Sequence, residues 1–130
     1  MGTVATPTED GKAFILNGDK QWCTNVTDPK TTMIAVLART PDKVLPNGKE
    51  IPQISCFVVE TAWSGVERVL LSTFMGLRGI ANGSVTFKNV RVAVANMIGK
   101  TGAGLKIARA TPCLLYTHAA ADESNSDYIG

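Results

Sequence analysis

The chain has 130 residues, 45% of them hydrophobic and 18% charged, enough for one globular domain with a real core and too few for two. Thirteen basic and 11 acidic residues leave a formal charge of +2. The lysines and arginines are scattered, which argues against nucleic acid and anionic membranes as partners, and no apolar run reaches membrane-spanning length.

Met1-Gly2-Thr3-Val4 opens without the apolar stretch of a signal peptide, and Pro7 and Thr8 spoil a myristoylation signal. Cys23, Cys56 and Cys113 are an odd number, widely spaced, with no C-x-x-C. Reduced thiols in the cytoplasm, or in a mitochondrial matrix if the source is eukaryotic, are therefore expected. His118 is the only histidine, so no zinc-ligand spacing exists and no metal site is expected. Asn25-Val26-Thr27 and Asn82-Gly83-Ser84 match the glycosylation tripeptide by chance.

β signals dominate to about residue 98. Residues 12–17 form a short apolar run ending at Asn17-Gly18, a hairpin-turn signal, with 20–25 as the return strand. Residues 32–39 (TMIAVLAR) are apolar on both faces and predict a central buried strand. Residues 40–52 hold Pro41, Pro46, Gly48 and Pro52 and predict an exposed loop. Strands are predicted at 53–60 and 66–71, joined by a turn at Ser64-Gly65. Residues 74–83, with Gly76, Gly79 and Gly83, read as a shaped loop. A strand at 84–92 is bulged near Asn89, and Met97-Ile98 form a short last strand or a packed pair. Gly99, Gly102 and Gly104 precede a helix over 105–110 that Pro112 stops early. The fold class is all-β: a small antiparallel barrel or orthogonal sandwich of six to seven strands with a short C-terminal helix.

The segment Asn17-Gly18-Asp19-Lys20-Gln21-Trp22-Cys23-Thr24-Asn25 holds the chemistry. On a strand, Trp22 and Thr24 share a face. One supplies a π surface and the other a hydroxyl that donates and accepts. A planar heteroaromatic cofactor such as a flavin needs that pairing. Taken alone, a single Trp in a β-domain is a core residue, and Thr is common in strands for packing reasons.

The order LNGDKQWCTN, VLART, ISCFVVE, MGLRGIANGSVTFKNVRV, IGKTGAGLKIA resembles the middle β-domain of acyl-CoA dehydrogenases, over about residues 10–110. In that family the domain is a barrel between two helical domains. Its Trp-x-Thr segment lies against the isoalloxazine of FAD, and the Thr hydroxyl bonds near the flavin N5. The resemblance carries these roles to Trp22 and Thr24, with Cys23 between them where an aliphatic residue is common. It implies α,β-dehydrogenation of an acyl-CoA thioester. It also implies FAD as cofactor, an electron-transfer flavoprotein as partner and a homo-oligomeric parent. Acyl-CoA oxidases and related flavin oxidases share the domain, and a non-catalytic β-module is the alternative from another class.

Three departures limit the carry-over. Met1 to Glu9 do not contain the family's acidic-Gly-Ser-Asp segment. Ala93 stands where Pro usually follows the Val-Arg-Val. The family's catalytic Glu belongs to a helical domain not seen here, so the chain reads as a fragment and no catalytic residue is assigned. Residues 1–100 then form the barrel domain, 101–112 start a helical domain, and 113–130 form a doubtful tail. CLLYTHAAADE in that tail resembles the translation of a sequencing-library adapter, the alternative being a divergent helix end.

Other motifs stay structural in this reading. Trp63 packs on the barrel surface or on a missing domain. The 76–83 loop connects strands, with Arg78 solvated. Gly99-Lys100-Thr101 resembles the end of a P-loop, but Val94 stands where that motif needs glycine. The carboxylates fall in turns or at strand ends, so no nucleophile, base and orienting group assemble.

Overall fold

The computed structural model describes residues 2–70 and 79–115. Gly76 and Arg78 of the glycine-rich loop, together with Tyr116, His118 and the rest of the tail, lie outside them, as does the side chain of Cys113.

Seven strands form one sheet: β1 Val4–Pro7, β2 Ala13–Cys23, β3 Met33–Val44, β4 Glu50–Glu60, β5 Val66–Leu70, β6 Gly83–Ala93 and β7 Met97–Ile98. A helix, α1, spans Gly104–Leu115. The strand order is β5-β6-β2-β1-β3-β4-β7. The all-β expectation with a C-terminal helix holds. A closed antiparallel barrel does not: β5 and β7 are the two edges, and β1 meets β3 in parallel through Val4 and Arg39. The far edge of β4 is taken by two-residue β7 and by α1, so it is not open to β5. The molecule is an open sandwich.

The sheet curls over one core. Phe14 on β2 and Phe57 on β4 are separated by two intervening strands, β1 and β3, yet their rings meet edge-on, centroids 5.1 Å apart. Leu16, Val26, Val36, Val59, Val85 and Phe87 are among the residues buried with them.

Several local expectations change. Asn17-Gly18 is not a hairpin turn, because β2 runs straight through it. The turn that reverses the chain is at residues 8–12, where Asp10-Gly11 sits. There Gly11 N donates to Thr8 O, and Thr8 N donates to Ala13 O, each at 2.9 Å. This joins β2 to β1, a strand not foreseen from the sequence. Gly18 takes φ 122 inside the strand, a value that suits glycine. Here the β2–β6 ladder slips: Asn17 alone opposes Lys88 and Asn89, so the bulge expected near Asn89 is present.

The loop expected over 40–52 is largely a hairpin of β3 and β4, with a tip at residues 45–49. Pro41 and Asp42 oppose Pro52 where the register shifts, so these prolines sit at a bulge that spares the ladder. The strand over 32–39 is not buried on both faces: Val36 and Ala38 point inward, whereas Met33, Ala35 and Arg39 are exposed. Trp63, in the turn before β5, packs partly buried against its own core. The turn at Ser64-Gly65 and short β7 agree with expectation. The helix passes Pro112 and ends at Leu115, although the proline has no N–H to give the carbonyl of Ala108.

Candidate functional site

The candidate site is the end of β2 and the turn that follows. Lys20 pairs with Val85 and Cys23 with Gly83, so Gln21 and Trp22 together oppose Ser84. This second bulge puts Trp22 at φ 58, in the left-handed region. The strand ends at Cys23, one residue before Thr24. Simple alternation across Trp22, Cys23 and Thr24 therefore fails. Trp22 is 62% exposed, Cys23 is half-buried against the core, and Thr24 opens an exposed turn.

Cys23 and Thr24 line one cavity of about 240 Å³ with Lys20, Val26, Ile34 and Val36. Trp22 is outside that lining. Burial holds the Lys20 ammonium below its usual range, with the Cys23 thiol and Asp19 opposing the shift. Burial pushes the Cys23 thiol up, with Lys20 opposing. The cavity thus holds a half-buried cation and a neutral thiol among aliphatic walls.

The turn from Asn25 to Thr31 is tightly bonded. Asp28 N donates to Asn25 O at 3.2 Å and Thr31 N to Asp28 O at 3.0 Å. Thr31 Oγ1 donates to Asn25 O at 2.7 Å. Arg68 reaches over from β5 to the same turn, with Nη1 donating to Val26 O at 3.0 Å. Beside it, Gly83 is a close-packing point: a Cβ there would lie 2.5 Å from Thr27 Cγ2 and 2.6 Å from Val69 O. Thr27 Oγ1 and Asn82 Oδ1, flanking this point, are buried without a hydrogen-bond partner among the described residues.

Sequence reasoning singled out Trp22, Cys23 and Thr24 and missed Lys20, Thr27, Arg68 and Asn82. Lys20 and Arg68 are both paired with Val85 across the sheet, a relation no local pattern reveals. Among the described residues no group of three or more His, Cys, Asp or Glu side chains is placed to hold a metal ion. No helix among them is long and apolar enough to cross a membrane.

The domain is thus an open β-sandwich with an exposed indole and a largely apolar cavity at one strand end. The family model for the acyl-CoA dehydrogenase middle domain matches residues 1–90. A probable acyl-CoA dehydrogenase, FadE10, of Mycobacterium tuberculosis is 43% identical over 113 residues, covering 85% of this chain and 16% of the relative. The mitochondrial very long-chain specific acyl-CoA dehydrogenase of Rattus norvegicus is 35% identical over 104 residues, covering 80% of this chain and 16% of that one. An acyl-CoA dehydrogenase from Bacillus anthracis solved with FAD superposes with a TM-score of 0.67 at 27% identity, over 82% of this chain and 16% of that chain.

The chain belongs to the acyl-CoA dehydrogenase family and corresponds to its middle domain. Its lineage is that of an oxidoreductase family. It spans about a sixth of the length of the curated relatives it matches.

Proposed function

We propose that this domain forms the flavin-facing platform of an FAD-dependent acyl-CoA dehydrogenase. The observation that carries the reading is the bulged end of β2, which leaves the Trp22 indole exposed two residues before Thr24 enters the cavity wall. The donor set fits a planar heteroaromatic with carbonyl edges. Trp22 offers a ring face, Thr24 a hydroxyl and Lys20 an ammonium, with the Thr27 hydroxyl a further donor nearby.

FAD, when bound, supplies the hydride acceptor for α,β-dehydrogenation of an acyl-CoA thioester. The part of these residues is to bind and orient. Trp22 would pack on the ring system and shield one face from water. Thr24 donates to the ring edge. Cys23, a small hydrophobe with its thiol kept neutral by burial, fills the wall behind them. Proton abstraction is assigned to none of them.

In this reading the parent enzyme passes electrons to an electron-transfer flavoprotein and works as a homo-oligomer in the cytoplasm or the mitochondrial matrix. The exposed Met33 and Val69, 60% and 57% accessible, support surfaces that further parts of such an enzyme cover.

Titrating the 130-residue chain with FAD, read by flavin fluorescence, tests the proposal. Weak saturable binding that disappears in Trp22→Ala is expected. Equal affinity in parent and variant would overturn it.

A further inference from the structure

Arg68 stands on edge strand β5, and a single nitrogen of its guanidinium faces three backbone carbonyls. Nη1 lies 3.0 Å from Val26 O, 3.4 Å from Asp28 O and 3.3 Å from Thr31 O. These carbonyls belong to one turn and converge because that turn winds on itself through the Asn25–Asp28 and Asp28–Thr31 bonds. Lys30 N also donates to Asp28 Oδ1 at 2.8 Å, which holds the turn's tip. Asp28 O also accepts from Thr31 N at 3.0 Å and Thr31 O from Thr61 Oγ1 at 2.9 Å, so Arg68 adds a charged donor to carbonyls already engaged, and its shortest bond goes to Val26 O.

The register explains how Arg68 reaches this point. Lys20, Val85 and Arg68 form one row across β2, β6 and β5, and paired residues in such a row project to the same face. Lys20 enters the cavity behind Thr24. Arg68, two strands away, grips the far side of the turn through Val26, whose own side chain is 2% exposed and lines that cavity. The bond to the Val26 carbonyl therefore fixes a wall of the cavity and, through two intervening peptides, the position of Thr24.

We propose that Arg68 is the positioning residue of the Trp22–Thr24 segment, acting as a cationic plug in a three-carbonyl cage. Its relevance to a flavin rests on the reading above; the positioning itself does not. Without Arg68, Val26 O loses its charged donor and Asp28 O and Thr31 O keep only the neutral Thr31 N and Thr61 Oγ1, and the 25–31 turn opens while the sandwich core stays closed.

The test uses the full chain with Trp63→Phe, which leaves Trp22 as the only tryptophan of the two present. Arg68, Arg68→Lys and Arg68→Ala are compared by amide hydrogen exchange and by Trp22 emission and acrylamide quenching. In Arg68→Ala the amides of Asp28 and Thr31 exchange about tenfold faster or more, while those of Phe57 and Val90 keep their protection. Lysine gives an intermediate result. Free guanidinium, well below denaturing concentrations, restores protection and the Trp22 spectrum to Arg68→Ala, which a general loss of packing would not allow.

Exchange at Asp28 and Thr31 within about twofold of the parent overturns the proposal. So does a loss of protection spread evenly over the core, or a failure of guanidinium to rescue. Should Arg68→Ala not fold, an unchanged turn in Arg68→Lys counts against the cage equally. FAD titrations of the same proteins separate the two readings. If the parent binds no flavin, the flavin reading fails, and the exchange pattern still decides the role of Arg68.

Discussion

Asn17 and Asn89 clasp each other across the β2–β6 ladder. Asn17 Nδ2 donates to Asn89 Oδ1 at 3.1 Å, and Asn89 N donates to Asn17 Oδ1 at 2.8 Å. The clasp closes the bulge at which Asn89 takes φ 51, a conformation asparagine tolerates better than most residues. The Asn-Gly pair that resembles a hairpin turn is therefore one half of a cross-strand fastener. Asn17→Ala removes both bonds and should cost about 1–2 kcal/mol in urea unfolding. Asn89→Gly keeps the backbone bond and should cost less, whereas Asn89→Val adds strain at positive φ and should cost most.

Gly83 sits where β6 begins, beside the candidate site. Its missing Cβ would press on the backbone oxygen of Val69 at 2.6 Å, which cannot swing away as a side chain could. Gly83→Ala should lower stability by about 1–3 kcal/mol. It should also disturb Thr27, and with it the turn that Arg68 holds. A melting midpoint equal to the parent's would show that β5 yields freely.

Phe57 is fully buried and meets Phe14 edge-on between the two halves of the sandwich. Phe57→Ala should cost about 3–5 kcal/mol, a large part of the stability of a domain this size. Retention of a cooperative transition near the parent's midpoint would mean the two halves do not depend on this contact.

Trp22 should behave in the opposite way. With 62% of its surface exposed, Trp22→Ala should change stability by no more than about 1 kcal/mol, yet abolish FAD binding. Lost folding with unchanged ligand affinity would mark Trp22 as a structural residue and favour a β-module without a redox role.

Lys20 makes stability depend on alkaline pH. Its folded pKa lies below the ordinary 10.5 because burial penalises the ammonium. Between the folded and unfolded pKa values the unfolded chain binds more protons, so stability rises with pH there. Lys20→Met removes that penalty at neutral pH. Its advantage over the parent should shrink as pH climbs toward 10.5, read as converging urea midpoints. Cys23 and Cys56, both pushed up by burial, act in the other sense, losing stability above pH 9.0; Cys56 does so alike in parent and variant, whereas Cys23 loses the opposing Lys20 charge in the variant, which narrows the gap in the same direction. A gap that does not narrow would mean that Lys20 is solvated in the native state.

Much of the fold is legible in the chain. The strands around Phe57, Val66 and Phe87 show as β-branched and aromatic runs bounded by turns, and their order with the Trp-x-Thr segment identifies the family. What was illegible depends on partners remote in sequence. Pro41 and Pro52 argue against strands until they are found opposite each other at a bulge. Val4 to Pro7 carry too little pattern to announce β1, which exists because β2 offers it an edge.

The Trp22–Thr24 site divides along the same line. Residue identity alone determines that an aromatic face and a hydroxyl stand two apart, and that the segment resembles the family's Trp-x-Thr segment. Tertiary structure decides which way they point. The bulge opposite Ser84 arises from how β2 registers with β6, and it turns Trp22 outward while leaving Cys23 and Thr24 on the cavity. The same register sets Lys20 and Arg68 on one row, 48 residues apart in the chain and on either side of Val85. Local sequence sets the chemistry of each side chain, but its direction follows from hydrogen-bond register with a strand some sixty residues away.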